Sequence, residues 1–237
     1  MSTEIKTPEW LSQILRADRW LVYLVMPAIF YMLGLVFLGV PNEQLMGPVQ
    51  RIFYVHVGSA IASYFCFAIS FICSIGYLIE RSKLFDIVNE AAGELGFVLC
   101  SIVLASGMIW GHSAWNTWFS WEPRLVTFLL LWLIFLGFIF LRAFGESPNL
   151  AKHSAVLGVV GTLMVPVMVY SIKLWPSLAQ LHPEVVAKGG LHPDMKVAMA
   201  VAIITILLLT CLLLIYRIKL GLLKVNVARM EAQYGSR

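Results

Sequence analysis

The sequence predicts an all-α, polytopic integral membrane protein with six transmembrane helices, and three observations carry that reading. Of 237 residues, 60% are hydrophobic and only 13% charged, with a mean hydropathy of +0.84; a water-soluble domain could not solvate such a surface. Apolar runs of roughly 18 residues or more, the length that crosses a hydrocarbon core as a helix, recur at 20–39, 52–79, 93–110, 125–141, 154–172 and 197–216. Basic residues alternate between connections. Twelve of the 17 Lys and Arg fall in the N-terminus, the 80s and 140s connections and the C-terminal tail, and five in the other three connections. Because Lys and Arg are retained on the cytoplasmic side, both termini are expected in the cytoplasm, and 1–237 reads as a single transmembrane domain.

Each element has its own signal. In the interfacial segment 1–19, Pro8 can open a short amphipathic helix with Trp10, Leu11, Ile14 and Leu15 on one side against Glu9, Gln13 and Arg16, placing it along the inner leaflet. The first span follows a stretch carrying Glu4, Glu9 and Asp18 and has no small-residue cleavage site after it, so it is expected to stay. The second run is long enough for one end to project beyond the hydrocarbon, and that end carries Arg51, Tyr54 and His56. The third and fourth runs flank the segment 111–124, which the basic-residue count turns outward. After the sixth span, 217–237 continues with helix formers and alternating charge, as a cytoplasmic helical tail.

The outward segment is the most unusual part of the chain. Trp110, Trp115, Trp118 and Trp121 place four of the eight tryptophans within a dozen residues. The last three recur every third position, a spacing that on a helix gives a slowly drifting aromatic strip. Two readings stand: an interfacial aromatic belt, or a platform for a flat apolar ligand.

Ionisable groups near that face are few, and burying them in lipid requires partners. His56 starts the second span, His112 lies among the tryptophans, and His182 and His192 each precede a proline between the fifth and sixth spans. Singly, each reads as a loop-end histidine bonded to backbone. Two of them converging beside an aromatic plate would supply axial imidazoles and ring contacts for a porphyrin, and Arg51 and Arg124 could pair with its propionates. Cys66, Cys73, Cys100 and Cys211 fall inside spans without CxxC or CxxCH spacing and read as packing residues. No nucleotide motif is present, and the basic residues form no patch for nucleic acid.

The run Trp110-Gly-x-x-x-Trp115-x-Thr-Trp118-x-x-Trp121-Glu-x-Arg-Leu resembles the tryptophan-rich signature of the haem-handling protein family of cytochrome c maturation, and length and span count are close to its CcmC-like members. Arg51-Ile-Phe-Tyr-Val-His56-Val is similar to the family's first outward histidine segment, and Leu181-His182-Pro183 to its second. The resemblance implies that haem b is carried as cargo at the external face of a bacterial or archaeal cytoplasmic membrane. It further implies transfer to a membrane-anchored haem chaperone, alongside the ATPase and permease subunits of an ABC-type transporter. Carried over by position, His56 and His182 would be the axial ligands of the iron, and Trp115, Trp118 and Trp121 the platform, with Trp110 and Gly111 at its mouth. Glu122 stands where the family usually has aspartate, either as a haem contact or as an anchor for the loop. The connection before His182 is longer than usual, and His192, in the same Leu-His-Pro context, is the alternative second ligand.

Two other classes compete. A cytochrome b-type electron-transfer subunit would hold haem between histidine pairs within its helices, and would need no tryptophan loop. A permease subunit of an ABC-type transporter would share the small residues Gly93, Gly96, Ala105, Ser106 and Gly107, which serve close helix packing in any of these classes. No enzymatic bond-making is expected on this chain, beyond assistance to haem attachment on a chaperone.

Overall fold

The computed structural model describes residues 7–43, 46–176, 178 and 192–234. Their helices are α1 (Glu9–Leu15), α2 (Asp18–Gly34), α3 (Ile52–Glu80), α4 (Lys83–Trp115), α5 (Pro123–Phe144), α6 (Leu150–Leu174) and α7 (Pro193–Tyr234). A π-turn, Leu35–Gly39, extends α2, and a 3-10 turn, Pro48–Arg51, leads into α3. Among the described residues there is no strand, only a bridge between Glu43 and Gly47. Six helical stretches are long and apolar enough to cross a membrane, as the hydropathy pattern predicts. The helical form follows from the solvent: without water, backbone groups must be satisfied within each segment.

The short N-terminal helix is present, but its apolar side is divided. Leu11 and Leu15 pack with Ile87 and Ala91 of α4 and Leu214, Ile215 and Ile218 of α7, while Trp10 and Ile14 are exposed. Its inner edge docks on the bundle and only the outer edge is left for lipid.

Antiparallel α3 and α4 form the central seam, with the α5–α6 hairpin on one side, α7 on another, and α2 packed outside against α7. Small residues let backbones approach, which matters where lipid competes equally for apolar surface. A Cβ at Gly96 would lie 2.5 Å from the ring of Phe67, and one at Gly93 would lie 2.6 Å from that of Phe138. Phe67 in turn stacks on Phe135 of α5, with centroids 3.9 Å apart.

α4 begins ten residues earlier than the apolar run at 93–110 suggests, because the charges that interrupt the run are paired. Asp86, Glu90 and Glu94 recur every fourth residue and so share a face of α4. Arg142 of α5 donates to Asp86 at 2.6 Å and also to Glu90. Arg217 of α7 donates to Glu90 at 3.0 Å and to Glu94 at 2.7 Å, and Lys83 reaches Asp86 at 2.6 Å. Asp86 and Arg142 are both buried, at 1% and 8% side-chain exposure. One turn along, Ser70 of α3 donates to the Asn89 side-chain oxygen at 2.7 Å.

Removing one partner of a buried pair strands the other, at about 3–5 kcal/mol. Arg142→Ala is therefore expected to destabilise the detergent-solubilised protein on that scale in denaturant unfolding followed by circular dichroism. Adding Asp86→Ala should recover part of the loss.

Candidate functional site

The tryptophan segment is built by two helix ends. α4 stops at Trp115 because Asn116 adopts the left-handed region, with φ of 54° and ψ of 32°, and donates its N–H to the His112 carbonyl. α5 starts at Pro123, which lacks an amide hydrogen and so suits a first helical position, and proline keeps the preceding residue extended; Glu122 has ψ of 153°. Residues 116–122 are thus non-helical and fold back over the last turn of α4. The close approach falls at Gly111, where a Cβ would lie 3.1 Å from the Thr117 carbonyl oxygen.

The helical strip expected of Trp115, Trp118 and Trp121 therefore does not form, since the three-residue spacing crosses a helix end. Trp110 is buried, tilted against Trp115 with centroids 5.3 Å apart and 6.5 Å from His56. Its indole N–H donates to the Met46 sulfur at 3.2 Å. Trp118 stacks on His112, with centroids 4.2 Å apart and planes 5° from parallel. Trp121 is 80% exposed and meets Phe119 edge-on.

Beneath this loop a cavity of about 410 Å³ opens between the adjacent ends of α3, α4, α5 and α6, within the size range of ligand and cofactor sites. Its walls are mainly apolar, including Phe128 and Met168, with His56, Glu122, Arg124 and Lys173 as the acidic and basic groups. Of the residues singled out in the sequence, His56, Trp110, Gly111, Trp115, Trp118, Glu122 and Arg124 line it. Arg51 and Trp121 do not: Arg51 donates from Nε to the Val36 carbonyl at 3.0 Å, tying the start of α3 to the π-turn of α2. His182 lies outside the described residues. His192 is exposed at the start of α7, its Nδ1 3.4 Å from Asp194. Glu122 is buried, at 4% exposure.

Several lining residues were not singled out as site residues in the sequence, although a signal for them exists. Stepping back along α4 from Trp110 and Gly111 by three and four positions reaches Gly107, then Val103; stepping along α3 from His56 reaches Phe53, Ala60 and Tyr64. These are the positions that share a helix face. Tyr64 donates its hydroxyl to the Met168 sulfur at 3.8 Å. Lys173, in the last turn of α6, adds a second cation to the lining. Ser106 bonds the His56 ring at 3.0 Å.

The family model for Heme exporter protein C (CcmC) matches residues 1–233. The chain belongs to the Heme exporter protein C family. It is 32% identical over 155 residues to a Bradyrhizobium diazoefficiens protein of that name, covering 65% of this chain and 59% of the relative. A Paracoccus denitrificans member is 30% identical over 161 residues, covering 68% of this chain and 62% of the relative. One from Escherichia coli K12 is 28% identical over 180 residues, covering 76% and 73%. The match thus spans about three fifths of the length of the first two relatives. The family resemblance read from the tryptophan run is borne out, as are the six helices long and apolar enough to cross a membrane.

The left-handed residue that ends α4 gives a test of the loop. Asn116→Gly is expected to be nearly neutral, whereas Asn116→Val, a β-branched residue at positive φ, should destabilise by about 1–2 kcal/mol. Thermal unfolding would measure that, with a change in near-UV circular dichroism as the Trp118–His112 stack loosens.

Proposed function

We propose that the protein binds haem b as cargo in the cavity beneath the tryptophan loop and passes it to a haem chaperone of cytochrome c maturation. The observation that carries this is the meeting of one half-buried imidazole, His56, with the Trp110, Trp115 and Trp118 rings and with Arg124 in a single apolar cavity. The donor set suits the cargo: an imidazole for the iron, aromatic and aliphatic walls for the macrocycle, and the Arg124 and Lys173 cations for propionates. Family membership supports the same reading. His182, in the connection that follows α6, is the proposed second axial ligand. The distribution of basic residues supports placing the site at the external face of a bacterial or archaeal cytoplasmic membrane. In this role the chain binds and transfers haem without enzymatic bond-making of its own, beyond assistance to haem attachment on the chaperone, and works with the ATPase and permease subunits of an ABC-type transporter.

The chain's own part is holding and shielding. The loop covers the cavity from the aqueous side, Trp110 forms the wall near His56, and the exposed face of the loop, with Trp121, is where a recipient would approach. Glu122, buried at the N-terminus of α5, lies where a carboxylate can anchor the loop or face the cargo.

Purified protein supplemented with haem is expected to show a Soret band that His56→Ala abolishes and His112→Ala retains. Trp115→Ala and Trp118→Ala should each weaken binding by roughly tenfold or less, the scale of a single aromatic contact. An undiminished band in His56→Ala would overturn the proposed ligation.

A further inference from the structure

The Cε1–Nδ1 edge of the His56 ring approaches α4 at Gly107, the one residue of that turn without a side chain. A Cβ at Gly107 would come within 3.1 Å of Cε1 and 3.7 Å of Nδ1. The ring is also held at its edge, where Nδ1 is 3.0 Å from the Ser106 hydroxyl oxygen. That hydroxyl is in turn 2.6 Å from the Ile102 carbonyl oxygen and 3.2 Å from that of Val103.

These distances settle which atom carries which proton. A carbonyl oxygen has no hydrogen to give, so two oxygens 2.6 Å apart attract only if the serine proton lies between them. A hydroxyl has a single proton. With it committed to the backbone of α4, Ser106 can offer His56 only a lone pair, and Nδ1 must be the donor. A neutral imidazole has one N–H, which leaves Nε2 with its lone pair exposed. A serine donating to Nδ1 would produce the opposite tautomer and put an N–H at Nε2, where no metal can bind.

We infer that Ser106 is a positioning residue for the haem iron: through its bond to the Ile102 carbonyl it fixes His56 in the Nδ1-protonated tautomer and presents the Nε2 lone pair to the metal. This rests on the reading that His56 is an axial ligand. The chain of carbonyl, hydroxyl and imidazole also polarises the ring and makes Nε2 a better donor, as partners of the second ring nitrogen do at metal sites. Gly107 completes the arrangement by letting the ring sit against the helix, so that the nitrogen is aimed and does not rotate freely.

The experiment has a haem-free arm and a haem arm. In haem-free protein with 15N-labelled histidine, the His56 signals, identified by their loss in His56→Ala, should show a protonated Nδ1 and an unprotonated Nε2. Ser106→Ala and the shape control Ser106→Val should lose that preference, and Ser106→Thr, whose hydroxyl can make the same backbone bond, should keep it. In the haem arm, Ser106→Ala and Ser106→Val should weaken haem binding by about 10–100-fold, with Ser106→Thr close to wild type and thermal unfolding unchanged across the set. A protonated Nε2 in the haem-free wild type overturns the assignment. So does full haem affinity in Ser106→Ala where His56→Ala has lost it, an outcome that leaves the haem site standing. If His56→Ala keeps its haem, the site reading falls first and the role of Ser106 falls with it.

Discussion

The antiparallel seam between α3 and α4 is the constraint on which the rest of the molecule depends. Two helices this close must exclude side chains from their contact, and the seam does so where it must: Gly96 faces Phe67, and Gly107 faces His56. Along the same seam polar groups bridge the two helices, Ser70 and Asn89 at one end and His56 and Ser106 at the other. The α5–α6 hairpin and α7 attach to this pair of helices, and α2 is held through α7. The hairpin packs its phenylalanines against the seam, and α7 is held to it by arginine.

The two ends of the seam use opposite physics. At the arginine end, three carboxylates on one face of α4 are neutralised by cations from α5 and α7, so charge joins helices where a purely apolar contact would have no advantage over lipid. At the tryptophan end a cavity lies between the helix ends, and a loop of seven non-helical residues lines it. Charge is sparse there, and the cavity has mainly apolar walls with a few fixed polar groups, the usual make-up of a small-molecule site.

How much of this was legible in the sequence depended on whether a signal was local. The spans follow from hydropathy, and the amphipathic helix from the spacing of Leu11 and Leu15. His56 stood out because an ionisable residue opening a span needs a reason. The tryptophan spacing misled, because periodicity assumes one continuous helix, and Asn116 and Pro123 break it between Trp115 and Trp121. Arg142 and Arg217 counted toward topology, yet their pairing with Asp86, Glu90 and Glu94 joins residues far apart in the chain, and only the recurrence of the carboxylates every fourth position hinted at it. Ser106 and Gly107 looked like packing residues. Their importance comes from the ring of another helix, which no spacing within α4 could show.

One further property follows from α7. Its 42 residues make a rod about 63 Å long, roughly twice the hydrocarbon thickness of about 30 Å, with no proline after its first residue. It is gripped where Arg217 meets Glu90 and Glu94, and where Lys219 meets Asp18 of α2 at 2.7 Å. Nearer its start, Met195, Ala198, Ala202 and Ile206 are buried against α2 and α3, so the rod is clamped along the bundle and not at the collar alone. Only the last part of the rod, from Asn226 onward, is largely exposed. A load on that tail is therefore taken up by the collar, and the Pro193 end, from which the chain runs back to the connection bearing His182, stays fixed to the core.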